Sequence, residues 1–210
     1  AEFINGRPND NIGITLFAGE TFTQCPLTVD HAVLLDMIHN IKCGLITDGT
    51  AVGMGIANAV TRLKDSKAKS KVIILLTDGT NNKGDISPMT AAEIAKSFGI
   101  RVYTIGVGTN GMAPYPYPVG NTVQYVSMPV EIDEKTLTEI AGTTDGNYFR
   151  ATSNSKLKEV YEEIDKLEKT KLNVKEYSKR DEEYHWFALA AFLCVLLEVL
   201  LRNSVLKKIP

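Results

Sequence analysis

Three short runs constrain this chain more than anything else in it. Ile12 to Ala18 (IGITLFA), Val72 to Thr77 (VIILLT) and Val102 to Val107 (VYTIGV) are apolar almost throughout and rich in β-branched residues. A strand with one face in water alternates apolar and polar side chains, so unbroken apolar runs suit strands covered on both faces, as in a parallel sheet. The segments between them carry helical spacing instead: Val29 to Ile41, Val52 to Lys64, and Pro88 to Phe98, the last closed by Gly99 as a helix C-cap. Strand and helix alternate, and the expected fold is α/β, a doubly wound, mainly parallel sheet with helices on both faces.

Around this frame the remaining segments are read more simply. Phe22 to Leu27 is an antiparallel edge strand, joined to the first strand by a tight Ala-Gly-Glu-Thr turn and able to hold Pro26 at the edge. Gly108 to Pro129, with Pro114, Pro116 and Pro118, reads as a long loop with one extended piece at Val123 to Ser127. A helix from Asp133 to Ala141, a last strand from Asn147 to Ala151 and a charged amphipathic helix from Ser153 to Lys169 complete a domain over 1–169. Residues 170–185 read as a linker.

The C-terminus departs from a soluble composition. Trp186 to Leu201 (WFALAAFLCVLLEVLL) is sixteen residues with one charge, preceded by Tyr184 and followed by Arg202, Lys207 and Lys208. It is expected to be a C-terminal transmembrane helix over 186–206 with a short basic tail to 210. Sixteen helical residues cover roughly 24 Å, short of a hydrocarbon core of about 30 Å, so the reading needs Val205, Leu206 and snorkelling flanks. Glu198 lies one turn before Arg202, at the spacing of an ion pair near the interface. Basic residues after the span put the C-terminus in the cytoplasm and the preceding domain outside.

Other functional classes find little footing. The net charge of −2, with cations spread among acids, offers nothing to neutralise phosphates, so nucleic acid is not an expected partner. Cys25, Cys43 and Cys194 are too few and too irregular for a zinc site or a disulfide framework, and free thiols are favoured over a Cys25–Cys43 bridge. His31 and His39 share one predicted helix without a third ligand, so both read as ordinary histidines.

Chemistry concentrates in a recurring tetrapeptide. Thr-Asp-Gly-Thr occupies 47–50 and again 77–80, and Thr144-Asp145-Gly146 repeats three of its residues. The flanking sequences differ, which argues against duplication. The second copy follows a buried strand directly, so Asp78 falls at the carboxyl end of a parallel strand, where α/β sheets place ligand sites. Asp145-Gly146 reads as a turn into the last strand. An aspartyl phosphotransfer site would need a nucleophile where Ile46 and Leu76 stand, and neither residue can be phosphorylated. Gly49, Gly53 and Gly55 before a helix lack the Lys and the third glycine of phosphate-binding loops. What remains is a divalent cation held by hard oxygens, Thr50 giving a hydroxyl and Asp78 a carboxylate; Mg²⁺ suits such donors.

Together, DGTAVGMGIANAV, KVIILLTDGTNNKGD, AKSFGIRVYTIGVGT and LTEIAGTTDGNYFRATSNSKLKEVYEEID resemble a von Willebrand factor A domain over about 3–168. The segment GMAPYPYPVGNTVQYVSMPVEIDEKTL and the apolar C-terminus resemble the bacterial aerotolerance (Bat) membrane proteins of that superfamily. The resemblance implies a metal-ion-dependent adhesion site built from an Asp-x-Ser-x-Ser element, a Thr matched by Thr50, and an Asp matched by Asp78. No Asp-x-Ser-x-Ser occurs here, so the family's first central strand is expected to be missing, and the chain is expected to start after it. The strands at 12–18 and 72–77 would then either pair with each other or leave an unstable sheet.

Asp48, Gly49, Gly79 and Asn81 are candidates for supporting or partner contacts, although Asp48 reads best as a turn former and Asn81, Asn82 and Lys83 as solvated loop residues. The resulting expectation is a membrane-anchored interaction module, not an enzyme. Through Mg²⁺ or Mn²⁺, once the missing ligands are supplied, it would bind a protein partner offering an Asp or Glu, including other Bat-type proteins. It would sit in the bacterial inner membrane with its domain on the periplasmic side, in a role tied to aerotolerance or envelope stress. The alternative is a metal-independent membrane scaffold that assembles through its span and its Pro-rich loop.

Overall fold

The computed structural model describes residues 2–42, 44, 46–108, 111–119, 122–130, 132–178 and 184–204. The chain divides into two compact units, Ala1–Lys169 and Thr170–Pro210.

The first unit is built around a parallel sheet in the order β3–β4–β7, from Lys71–Thr77, Ile100–Val107 and Tyr148–Ala151. Lys71 pairs with Ile100 through to Thr77 with Gly106, and Thr104 with Tyr148 through to Val107 with Ala151. Both faces of this sheet are covered, which accounts for the unbroken apolar runs. On one face, Ile73, Leu75 and Val102 pack against α3 (Val52–Leu63), α4 (Pro88–Ser97) and α5 (Glu134–Thr143) through Ile56, Val60, Ala92, Ala95 and Ile140. On the other, Val72, Ile74, Leu76, Tyr103 and Ile105 meet Val160 and Ile164 of α6 (Asn154–Ser178).

Local signals set the helix starts. Ser87 Oγ accepts from the Thr90 N–H ahead of Pro88 at the first helical position, and Asp133 Oδ1 accepts from the Thr136 N–H. Those hydrogen bonds hold the Asp133 carboxyl below its ordinary range. Asp145 takes a left-handed conformation with φ 57° and leads into β7, the turn expected of Asp145-Gly146. A β-carbon at Gly146 would lie 2.0 Å from the Val102 carbonyl oxygen, so the chain passes β4 at a distance only glycine permits.

β1 (Ile12–Phe17) and β2 (Thr21–Thr28) form a separate antiparallel pair, joined by the tight turn read from the sequence. Pro26 falls where the register shifts, a place that needs no ladder donor. α2 (His31–His39) follows, with Leu34 buried against Cys25 and Ile4 of α1 (Glu2–Asn5), and Asp30 caps it by accepting from the Ala32 and Val33 N–H groups.

β1 and β3 belong to different sheets, so the anticipated closure by pairing 12–18 with 72–77 does not occur. Helices join the two sheets instead. α3 packs on β1, β2 and β3, with Phe17 against Gly55. On α1, Phe3 stacks on Tyr161 of α6, its ring centroid 4.8 Å away, and Arg7 just beyond the helix donates to Asp165 at 2.7 Å.

The amino ends of β3 and β4 are sealed by a buried polar cluster. Glu168 of α6, 4% exposed, accepts from Ser70 Oγ at 2.9 Å, from Tyr103 Oη at 2.6 Å and from Arg101 Nη1. Burial works to raise the Glu168 pKa, but these donors outweigh it and hold the carboxyl below its ordinary range. Burial, reinforced by the carboxylate, pushes the Tyr103 hydroxyl up to about 12.

Two expectations are corrected. Gly108 to Pro129 is not a loop with one extended piece: β5 (Gly111–Val119) and β6 (Thr122–Val130) form an antiparallel hairpin. Pro114, Pro116 and Pro118 pair with Ser127, Tyr125 and Val123, so the missing N–H donors fall at alternate positions and lie along one edge of β5, which keeps its ladder to β6. Of the expected linker over 170–185, residues 170–178 continue α6 as helix, and 179–183 lie outside the described residues. Cys25 is a buried free thiol and Cys194 an exposed one, and Cys43 lies outside the described residues.

The second correction concerns the span. In the second unit α7 runs over Tyr184–Ser204, and every side chain described from Leu189 to Val199 is exposed. Among the described residues no helix is long and apolar enough to cross a membrane. The extension through Val205 and Leu206 and the tail to 210 lie outside the described residues.

Candidate functional site

The carboxyl end of β3 is as open as its amino end is closed. β3 ends at Thr77, and the next residue, Asp78, is exposed. Thr77 Oγ1 accepts from the Gly79 N–H and donates to the Gly79 carbonyl, both at 3.3 Å, folding the chain tightly beyond the strand. Thr50 immediately precedes buried Ala51 and the start of α3. Its hydroxyl lies over Gly79: a β-carbon there would be 3.4 Å from Thr50 Oγ1. Two residues picked from separate tetrapeptides, Thr50 and Asp78, are thus brought to neighbouring positions at one end of the sheet.

The loop from 47 to 51 is pinned on two sides. From the β1–β2 turn, the Gly19 N–H donates to the Thr47 carbonyl at 2.8 Å, and the Ala18 carbonyl accepts from the Ala51 N–H at 2.6 Å. From the loop after β3, Asn82 Oδ1 accepts from the Thr50 N–H at 2.9 Å and Asn81 Oδ1 from the Val52 N–H at 2.8 Å. The Asn82 and Lys83 N–H groups both donate to the Thr50 carbonyl, at 3.0 and 3.2 Å. Gly49 adopts φ 134°, and a β-carbon there would lie 2.6 Å from Lys83 Cγ. Asp48 Oδ1 accepts from the Gly49 N–H at 3.1 Å, the turn-forming role expected of it.

Asp48, Gly49, Thr50, Asn82 and Lys83 line an open cavity of about 460 Å³. Of the sequence candidates, Asp48, Gly49 and Thr50 line it. Asp78 and Gly79 lie beside Thr50, and Asn81 stands behind it at the helix start. Asn81 is a supporting candidate, whereas reading Asn82 as a solvated loop residue missed its hold on Thr50. The signal that could have revealed it is Ala51: a helix whose cap residue offers no side-chain acceptor must take one from elsewhere. His31 and His39 lie away from this cluster, bonded to the carbonyls of Asp10 and Leu35 at 3.0 and 2.7 Å.

The donors suit a hard divalent cation in kind, a hydroxyl from Thr50 and a carboxylate from Asp78, but not yet in number. Among the described residues no three His, Cys, Asp or Glu side chains gather in a group that could hold a metal ion. Lys83 on the same rim favours an anionic visitor.

Residues 1–163 match the von Willebrand factor type A domain, and the chain belongs to that family. The crystal structure of the conserved hypothetical protein BatB from Bacteroides thetaiotaomicron is 33% identical with a TM-score of 0.68, covering 80% of this chain and 84% of that one. An aerotolerance-related membrane protein from Bacteroides fragilis is 29% identical with a TM-score of 0.67, covering 79% and 82%. An uncharacterised protein of Borreliella burgdorferi is 26% identical over 99% of this chain, which spans 61% of that relative's length. A mussel byssus protein whose adhesion-site motif is occupied by zinc is 25% identical with a TM-score of 0.58, covering 79% of this chain and 38% of that one. Von Willebrand A domains are generally interaction modules.

Proposed function

We propose that this chain is an interaction module that takes a protein partner's Asp or Glu side chain at the carboxyl end of its sheet, with Mg²⁺ or Mn²⁺ shared between that carboxylate and the chain. Thr50 and Asp78 would hold the cation, and it would supply the positive charge that joins two sets of oxygens. The observation that carries the reading is the convergence of Thr50 on Gly79, beside Asp78. Asp48, Gly49, Gly79 and Asn81 would support these donors, and further oxygen donors would complete the shell. Lys83 on the rim would draw an acidic side chain inward. Binding rather than catalysis is proposed, because neither histidine of the first unit lies at the cavity to activate the Thr50 hydroxyl.

The proposed setting is the bacterial inner membrane, with the 1–169 domain on the periplasmic side and other Bat-type proteins among its partners, in aerotolerance or envelope stress. Exposed apolar residues on α7, among them Leu189, Phe192, Leu193, Val195 and Leu196, support attachment there. So does the membrane-protein description of the Bacteroides fragilis relative. Isothermal titration of Mg²⁺ into the intact protein and its Asp78→Ala variant tests the site: an affinity loss of about tenfold or more is expected, and equal affinities would sink the adhesion-site reading. Alkaline extraction of membranes tests the setting; release of the protein into the supernatant would remove it.

One observation favours a metal-independent scaffold as the second reading. From Gly108 to Val130 there is no charged residue, and on β6 Tyr125 is 72% and Val126 47% exposed. A neutral, aromatic hairpin of this kind suits a contact that is insensitive to salt and magnesium. Partner capture that survives chelation of divalent cations but is lost on Tyr125→Ser would favour the scaffold.

A further inference from the structure

We infer that Asn81 and Asn82 are positioning residues: they make the loop after β3 and the loop before α3 one mechanical unit, so that Thr50 is placed by the segment that begins at Asp78. The inference deepens the binding reading above and rests on it for its functional meaning, while its mechanical part stands by itself.

The backbone of Thr50 carries it. Its N–H donates to Asn82 Oδ1 at 2.9 Å, and its carbonyl accepts from the N–H groups of Asn82 and Lys83 at 3.0 and 3.2 Å. Three hydrogen bonds from two adjacent residues therefore hold both peptide groups that flank Thr50, and all three come from the other loop. Asn81 extends the grip by one turn, accepting from the Val52 N–H at 2.8 Å where Ala51, at the cap position, has no side-chain acceptor to give. Helix N–H groups at a first turn need acceptors from outside the helix.

Contact continues along the same segment. A β-carbon at Gly84 would lie 3.0 Å from Ala51 Cβ and 2.8 Å from Met54 Cγ, and one at Gly53 would lie 2.1 Å from the Ile86 carbonyl oxygen. Residues 81 to 87 thus lie on the start of α3 as a strap, close enough that Gly53 admits no side chain. The Thr50 hydroxyl then occupies its place over Gly79 because the strap fixes the Thr50 backbone. A change at 81 or 82 should move the hydroxyl without touching it.

The test uses the intact protein and the variants Asn82→Ala, Asn82→Asp and Asn81→Ala. Backbone amide exchange at Thr50 and Val52, in the absence of divalent cations, is expected to rise roughly tenfold in the variant that loses each acceptor, with β4 amides unchanged as a control on folding. Asn82→Asp keeps an acceptor oxygen and should restore Thr50 protection. In parallel, Mg²⁺ affinity should fall about fivefold in Asn82→Ala. Unchanged exchange at Thr50 would overturn the inference. Faster exchange with parental Mg²⁺ affinity would also overturn it, leaving the asparagines as caps of α3 alone. If the parent protein shows no Mg²⁺ response while Asn82→Ala still loosens Thr50, the metal reading fails and the coupling of the loops is upheld.

Discussion

The two ends of β3 answer opposite demands with the same kinds of atoms. At the amino end, Glu168 is buried and accepts from three donors, Ser70, Arg101 and Tyr103. At the carboxyl end, Asp78 stands exposed, and the side-chain oxygens around it, Asn81 and Asn82, accept backbone N–H groups that shape a cavity. The first arrangement consumes its polar groups within the fold; the second keeps a carboxylate and a hydroxyl in reach of solvent. The contrast teaches that hydrogen-bond saturation separates stability from function here better than residue type does.

The comparison breaks first where burial is greatest. Glu168→Ala leaves the part-buried Arg101 guanidinium and the buried Tyr103 hydroxyl without their carboxylate and should cost about 2–4 kcal/mol in urea unfolding; a cost under about 1 kcal/mol would mean that the amino end is not sealed as described. Gly53→Ala drives a methyl group toward the Ile86 carbonyl oxygen, 2.1 Å away, and should cost about 1–3 kcal/mol in the same assay. An unchanged midpoint would show that the strap yields freely.

Acid should act on the sealed end. Because the folded Glu168 pKa is depressed, its contribution is fully present above the unfolded value and is lost as pH falls through the folded one. Glu168→Gln should therefore flatten the acid limb of a stability-against-pH curve, and parallel curves for variant and parent would refute that assignment. The smallest stability effect belongs to the open end: Asp78→Ala should shift stability by no more than about 0.5 kcal/mol while weakening Mg²⁺ binding. A large destabilisation would mean that Asp78 is structural.

Much of the architecture was legible because both-face burial leaves a plain mark. The runs at 72–77 and 102–107 became the paired strands β3 and β4, and α3 before them and α4 between them begin where Val52 and Pro88 promised. The hairpin of β5 and β6 was not legible, because a single proline argues against a strand, whereas prolines at 114, 116 and 118 in one register leave the ladder intact. The length of α6 was missed because its charged continuation through 170–178 carries no apolar stripe to signal burial.

For the candidate site, the chemistry of Thr50 and Asp78 was readable from their tetrapeptides and from the strand that precedes Asp78. The role of Asn82 was not, since its bonds reach 32 positions back along the chain to Thr50. The amino-acid sequence by itself determined the alternation of strand and helix, through patterns of burial that act over a few residues. Only the tertiary structure decided that Thr50 of the first tetrapeptide lies over Gly79 of the second and that β1 stays apart from β3. It also decided that the cap of α3 comes from another loop. The physical reason is range: propensity and periodicity are local, whereas a hydrogen bond needs only an acceptor in place, whatever stretch of chain supplies it.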